Sequence, residues 1–399
     1  MQGQELLHSF IQKSSTTIHK KRIRAVTNAT GALLQGKRLT LTALGRSLPG
    51  KAKERHAIRG IDRLLGNEKL HLERNEIYKI LSSYLMNKNS VVGILVDWSC
   101  INKKKDFYML RASLALTGRS YTIYQEIHSK KYQNSPIVEK PFLKNLLQVL
   151  PEGVKPIIIT DAGFRAPWFK AVEALGFHWV GRIRNTNKYR IRGTPKWSYT
   201  TSLYEIATNK PQAIKAVTLA KSNAISCNLV FIKKEEKKGR KHKNRSGNRT
   251  NNNASNRAAR SALEPWLLST SLPVDTLEQI SQVIALYEKR MQIEEDFRDT
   301  KSHQYGFAIR YSLTNRAERL EILLLIATLA CFACWLIALS ARRKKLQYDF
   351  QSNSIKHRTV LSITYLACRL IKKKVLFTKK ELLTSLDEMR KLADLGIII

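Results

Sequence analysis

Tyr287-Glu-Lys-Arg290-Met-Gln-Ile-Glu294-Glu-Asp-Phe-Arg-Asp-Thr-Lys301 reads as the end of one long helix that begins near Leu277. At about 100° per residue, Tyr287, Arg290, Glu294 and Lys301 fall within roughly a sixth of the circumference. Leu286, Ile293 and Phe297 occupy the adjoining sector, which suits a core, so the polar stripe is expected to be half buried. Glu295, Asp296 and Asp299 point about 100 to 200° away. Glu294 is therefore the one acid placed among the cations and the phenol. A solvated face with i,i+4 ion pairs has the same pattern. The meaning of the stripe depends on what other carboxylates the chain supplies.

Upstream of this helix the periodicity is that of an α/β protein with a mixed sheet. Val91 to Val96 is a short apolar strand running into Asp97 and Trp98, Phe107 to Leu116 is a second, and Tyr121 to Ile127 alternates after the turn Thr117-Gly118-Arg119. A helix from about Val138 to Leu150 follows, then the strand Pro156 to Thr160 leading to Asp161, a helix to Leu175, and a strand Phe177 to Ile183. From 186 to about 263 the pattern breaks into short strands at Lys188 to Ile191, Ala216 to Leu219 and Ile225 to Ile232. They end in Lys233 to Arg260, dense in Lys, Arg, Asn and Ser, which reads as a flexible basic loop. The strand Trp266 to Thr270 then restores the α/β order.

Residues 1 to 88 read as helical and basic. Thr40 to Leu48 and Lys53 to Leu65 flank the turn Pro49-Gly50, and the second helix puts Ile58, Ile61, Leu64 and Leu65 inside. Arg55, Arg59 and Arg63 lie on its other side at i, i+4 and i+8. That is the outline of a helix-turn-helix whose second helix enters a major groove or rides on phosphates; a basic solvated face has the same spacing.

Seventy Lys and Arg against 31 Asp and Glu give the 399 residues a formal charge of +39, which points to a polyanionic partner. The basic residues run through every region, which favours nucleic acid over a membrane surface. Five scattered cysteines and the lack of a secretory signal indicate a reducing cytoplasm. Cys331 and Cys334 form a CxxC without a second pair, so they are read as packing. The 18 uncharged residues Ile322 to Leu339, followed by Arg342 to Lys345, meet the length of a membrane span. With no second span, the run reads as a helix buried on both sides.

Asp97 and Asp161 each follow a short apolar strand, and ligands of α/β sheets gather at the carboxyl ends of strands. Asp161 can equally cap the helix beginning near Ala166. With Glu294 they form a set of three carboxylates, enough to hold two Mg²⁺ ions about 3.5 to 4 Å apart for an in-line displacement at phosphorus. Bare, three such acids repel one another; bound metal reverses that. Arg290, Lys301 and Tyr287 are suited to grip the flanking phosphates.

The segments Leu39-Thr-Leu-Thr-Ala-Leu-Gly-Arg-Ser-Leu-Pro, Leu95-Val-Asp97-Trp98-Ser, Leu110-Arg-Ala-Ser, Asp161-Ala-Gly-Phe and Lys289-Arg-Met-Gln-Ile-Glu294 carry a resemblance across nearly the whole chain. The sequence resembles the DDE cut-and-paste transposases of the insertion-sequence-four family. Their signature is Tyr, two residues, Arg, three residues, Glu, six residues, Lys, met here at Tyr287, Arg290, Glu294 and Lys301. The resemblance implies an RNase H-like catalytic core (89–185 and 264–345) interrupted by a β-rich insertion (186–263), with a helical DNA-binding region (1–88) and a C-terminal helical region (346–399). It implies Asp97, Asp161 and Glu294 as ligands of two Mg²⁺ ions, with Mn²⁺ able to substitute, and Trp266 as the residue that stacks a flipped base.

On this basis the expected protein is a bacterial, cytoplasmic, nucleoid-associated transposase. It binds its element's terminal inverted repeats, self-associates in a synaptic complex with paired double-stranded ends, and works without a membrane. The rival readings are an RNase H-fold nuclease without strand transfer and a non-catalytic DNA-binding protein.

Overall fold

A computed structural model describes residues 3–102, 104, 106–184, 187–234, 264–355 and 357–397. The helices are α1 (Gly3–Ser14), α2 (Lys20–Gly36), α3 (Leu41–Arg46), α4 (Glu54–Leu65), α5 (Glu68–Leu85), α6 (Pro136–Val149), α7 (Ala166–Glu173), α8 (Leu203–Ile206), α9 (Leu277–Glu288), α10 (Met291–Lys301), α11 (Ala317–Arg343), α12 (Ile363–Lys372) and α13 (Lys379–Ala393). The strands are β1 (Val91–Cys100), β2 (Phe107–Ala115), β3 (Ser120–Ser129), β4 (Lys155–Thr160), β5 (His178–Arg182), β6 (Lys188–Ile191), β7 (Ser198–Tyr199), β8 (Gln212–Leu219), β9 (Ile225–Ile232) and β10 (Trp266–Thr270). The mixed α/β class read from the sequence is the class observed. The chain divides into two compact units, Met1–Ile157 with Lys289–Ile399, and Ile158–Glu288.

In the first unit β1, β2 and β3 form an antiparallel meander, with Asp97 directly opposite Arg111. The core element is α11, which packs against α1, α2, α12, α13 and β3. Its apolar run is long enough to cross a membrane by length and composition, and it is buried almost throughout inside the protein. Each fully buried Leu or Ile there contributes about 1.5–3 kcal/mol relative to exposure, which explains a helix with no polar side. Cys331, Cys334 and Cys368 are free thiols buried in and around it.

The two N-terminal helices of the expected helix-turn-helix are α3 and α4. Thr40 caps α3 by accepting from the Ala43 amide. The helices approach so closely that a Cβ at Gly45 would lie 2.6 Å from Ile58 Cα, so only glycine fits there. Ile61, Leu64 and Leu65 face inward, while Arg55, Arg59 and Arg63 are exposed.

In the second unit β5, β10, β9, β8, β6 and β7 are successive neighbours, each adjacent pair antiparallel. Between Ile183 and Glu264 the described residues form the strands β6, β7, β8 and β9 with the short helix α8 among them, where the sequence pattern offers short strands. Of the basic segment Lys233 to Arg260, all but Lys233 and Lys234 lie outside the described residues.

The expected single helix from Leu277 is two helices. The chain leaves α9 at Glu288 and enters α10 at Met291. Arg290 keeps helical φ and ψ, but the Gln292 and Ile293 amides bond back three residues, to the Lys289 and Arg290 carbonyls. This tighter joint ends the regular i−4 ladder, so a single 100° count does not run from Tyr287 to Lys301.

Candidate active site

Asp97 does not end its strand. Burial stops at Val96, but β1 continues to Cys100, and Asp97 is held within it by its ladder with β2. Its Oδ1 accepts from the Trp98 amide at 2.7 Å. Trp98 lines the cleft beside Asp97, its ring edge-on to His128 and its Nε1 donating to Glu139.

Glu294 and Lys301 come from α10, which packs across all three strands of the meander. Ile293 and Phe297 are its buried apolar residues. Arg290, at its N-terminus, turns toward both acids: Nη2 donates to Glu294 Oε1 at 2.8 Å, and Nη1 lies 3.6 Å from Asp97 Oδ2. Lys301 donates to Ser99 Oγ at 2.7 Å, two residues along β1 from Asp97. Burial, reinforced by Arg310 and Arg111, pulls the Lys301 ammonium down to about 8. A cleft of about 490 Å³ is lined by Asp97, Ser99, Glu294, Phe297, Lys301 and Arg310 among others. Ser99 closes the segment Leu95-Val-Asp97-Trp98-Ser, whereas Arg310 had no signal in the sequence.

Glu295, Asp296 and Asp299 point away from Glu294, and their partners are Arg111, Thr122, Thr364 and Arg119. Asp296 and Asp299 are buried, because the side of α10 away from Glu294 faces β2, β3 and α12. Asp296 accepts from Arg111, Ser113 and Thr122 at 3.0, 3.1 and 2.8 Å. Asp299 accepts from Thr364 at 2.8 Å and lies 3.4 Å from Arg119, which also pairs with Glu295.

Burial outweighs Arg119 and pushes the Asp299 carboxyl up to about 7, from an ordinary value near 3.8. Between those values the folded protein binds a proton that the unfolded chain has lost. Asp299 therefore stabilises the fold fully below pH 4, and this contribution falls away as pH rises to about 7. The expected result is that Asp299→Asn flattens the fall of the unfolding free energy, read from urea titrations, between pH 4.5 and 7.5, by an amount on the order of a few kcal/mol. An identical slope in the two proteins contradicts the assignment.

In the second unit Asp161 directly follows β4. Its Oδ1 accepts from the Gly163 amide at 2.8 Å, and the helix beginning at Ala166 has Arg165 at its N-cap position. Asp161 is thus not the cap of α7. Tyr287 is 4% exposed, near the end of α9, against Arg182 and edge-on to Trp266 at 4.8 Å. Trp266 is half-buried, with Lys234 Nζ 3.8 Å above its ring. The four signature residues divide accordingly: Arg290, Glu294 and Lys301 lie in the first unit and Tyr287 in the second.

A family model described as a transposase DDE domain matches residues 91–331 of the 399. The chain belongs to the DDE transposase family. No curated protein matches the chain. The matched span begins with β1 and ends inside α11, so it contains Asp97, Asp161 and Glu294. Members of this family are metal-dependent enzymes that act on DNA, using divalent ions such as Mg²⁺.

The first-unit residues fit such an ion. Two carboxylates already converge on one cation, the Arg290 guanidinium, in an open cleft. Glu294 is 47% exposed, so its pairing with Arg290 is worth no more than about 1 kcal/mol and is readily exchanged. Within either unit, among the described residues, no three His, Cys, Asp or Glu stand close enough to hold a metal by themselves.

Proposed function

We propose that this DDE transposase is a cut-and-paste enzyme of the insertion-sequence-four family, close to the transposase of transposon ten. The observation that carries the reading is the convergence of Asp97 and Glu294 on one cation, with Lys301 alongside at Ser99. In this reading Asp161 joins Asp97 and Glu294 as the third carboxylate of the site. Asp97, Asp161 and Glu294 would hold two Mg²⁺ ions, for which Mn²⁺ can substitute, and these would supply Lewis-acid stabilisation of the attacking and leaving oxygens.

The chain's own groups do the rest. Arg290, once released from the two carboxylates, offers a planar fork to a phosphate next to the scissile bond, and Lys301 offers a point charge to a second. Tyr287 adds a hydroxyl. Water first attacks the phosphorus at the element end, breaking its bond to the 3′-oxygen and leaving a 3′-hydroxyl. That hydroxyl attacks a phosphorus of the opposite strand, displacing the 3′-oxygen of the flanking DNA as its leaving group and forming a hairpin; water reopens the hairpin, and the regenerated 3′-hydroxyl attacks a phosphorus of target DNA, displacing the target's 3′-oxygen. Trp266 stacks the base extruded at the hairpin, which offsets an unstacking cost of a few kcal/mol by about 1–3 kcal/mol.

The regions take separate roles: 1–88 recognises the terminal repeats, 89–185 and 264–345 form an RNase H-like core, 186–263 is the insertion, and 346–399 is a C-terminal helical region. Two protomers hold paired ends in a synaptic complex, in the cytoplasm and without a membrane. Arg55, Arg59 and Arg63 track the DNA backbone. Replacing each by alanine is expected to lower the slope of log affinity against log salt by about 1, measured by titrating terminal-repeat DNA; three unchanged slopes remove α4 from the interface.

The test of the function is incubation of the protein with DNA carrying its own terminal repeats and Mg²⁺. Excised element, end hairpins and joining of a precut end to a plasmid are expected. Cutting without joining points instead to a nuclease, and binding without cutting to a non-catalytic DNA-binding protein.

A further inference from the structure

We propose that Arg111 is a positioning residue that sets the helix carrying Glu294 and Lys301 against the strand carrying Asp97. The proposal rests on the reading of Asp97 and Glu294 as the metal-binding carboxylates. Arg111 is 1% exposed and sits directly opposite Asp97 across the β1–β2 ladder. Directly opposed residues project from the same face of a sheet, so Asp97 and Arg111 both face α10. From there Arg111 Nη1 donates to Asp296 Oδ2 at 3.0 Å and to Thr300 Oγ1 at 3.1 Å. Its Nε donates to Gln125 Oε1 of β3 at 2.9 Å, and its guanidinium lies 5.3 Å from the centre of the Phe297 ring.

The two helix contacts are at i and i+4, on one face, and they lie between the two functional residues. Asp296 is two positions after Glu294, and Thr300 immediately precedes Lys301. Asp296 Oδ2 is fixed in turn by Ser113 and Thr122 from the neighbouring strands. Sliding α10 by one residue, about 1.5 Å, would break all of these bonds together. A misplacement of about 1 Å in a reacting constellation can cost roughly 100-fold in rate. Stability alone does not call for this arrangement, since apolar groups can replace a buried ion pair at little or no loss. Geometry does call for it, because hydrogen bonds are directional and packing is not.

The test combines a neutral double variant, Arg111→Met with Asp296→Asn, and a near-isosteric single variant, Thr300→Val. Four quantities are measured for each: the thermal midpoint, affinity for terminal-repeat DNA without metal, the single-turnover cleavage rate on bound DNA, and the shift of the thermal midpoint with added Mn²⁺. The double variant is expected to bind DNA as the wild type does. It should cleave about 100-fold more slowly and need more Mn²⁺ for the same thermal shift. Thr300→Val, which keeps the ion pair, should fold normally and cleave several-fold more slowly at unchanged affinity.

A folded double variant that cleaves within about threefold of wild type, at the wild-type Mn²⁺ response, overturns the proposal. If the double variant does not fold, Thr300→Val decides, and wild-type cleavage by it overturns the proposal. Asp97→Asn serves as the control. Its retained cleavage would defeat the reading of the site itself, whereas its loss beside an active double variant defeats only the role of Arg111.

Discussion

Asp97→Ala is expected to abolish DNA cleavage while leaving terminal-repeat binding intact, and Glu294→Gln is expected to do the same. Both side chains line the cleft and converge on the Arg290 guanidinium. Glu294 is half in solvent, and Asp97 lies where burial along β1 has ended, accepting from the Trp98 amide and pairing with Arg290. Polarisation of a phosphoryl group by a bound ion is worth several kcal/mol in the transition state. Losing about 4 kcal/mol of it lowers the rate by about 10³-fold. The check is single-turnover cleavage of labelled end DNA, with binding followed in parallel by gel shift. Retained Mg²⁺-dependent cutting by Asp97→Ala sinks the assignment.

Arg111→Ala is expected to lower stability by about 3–5 kcal/mol. The reason is asymmetry. Asp296, 4% exposed, loses its ion-pair partner but remains buried, and its charge has no access to water. Gln125 Oε1 loses its donor in the same cavity. Removal of the long side chain also leaves a void beside Phe297, adding a packing loss. Urea unfolding of the purified variant reads this directly. A loss under about 1 kcal/mol means that water reaches Asp296 and the network is not buried in solution.

The sequence carried the strands β1 to β5 and the signature residues because both depend on local patterns. Each strand from β1 to β5 follows from a short apolar run, and Asp161 is conspicuous as an acid after three isoleucines and a threonine. The cap reading of Asp161 stayed open, since capping depends on where the backbone enters the helix, and here that point is Arg165.

The interruption at Lys289 and Arg290 was not legible, because neither residue is a helix breaker and Arg290 retains helical torsions. The burial of Asp296 and Asp299 has a different origin. A helical wheel assumes one buried stripe, but α10 lies between the cleft and an interior formed by β2, β3 and α12. Their partners Arg111, Thr122 and Thr364 are distant in sequence, so nothing local marks those acids as buried. Arg111 did stand inside a motif, Leu110-Arg-Ala-Ser, but its role emerged only with the strand register. The apolar run of α11 was ambiguous by length and resolved by the elements packed around it.

The central claim is that Asp97, Asp161 and Glu294 serve one metal site, and Mn²⁺ binding to the DNA-bound protein tests it most directly. Electron paramagnetic resonance titration of the wild-type complex is predicted to count two ions per active site. Asp161→Asn and Asp97→Asn are each predicted to lose or markedly weaken at least one ion while still binding end DNA. Unchanged Mn²⁺ number and affinity in Asp161→Asn would contradict the account.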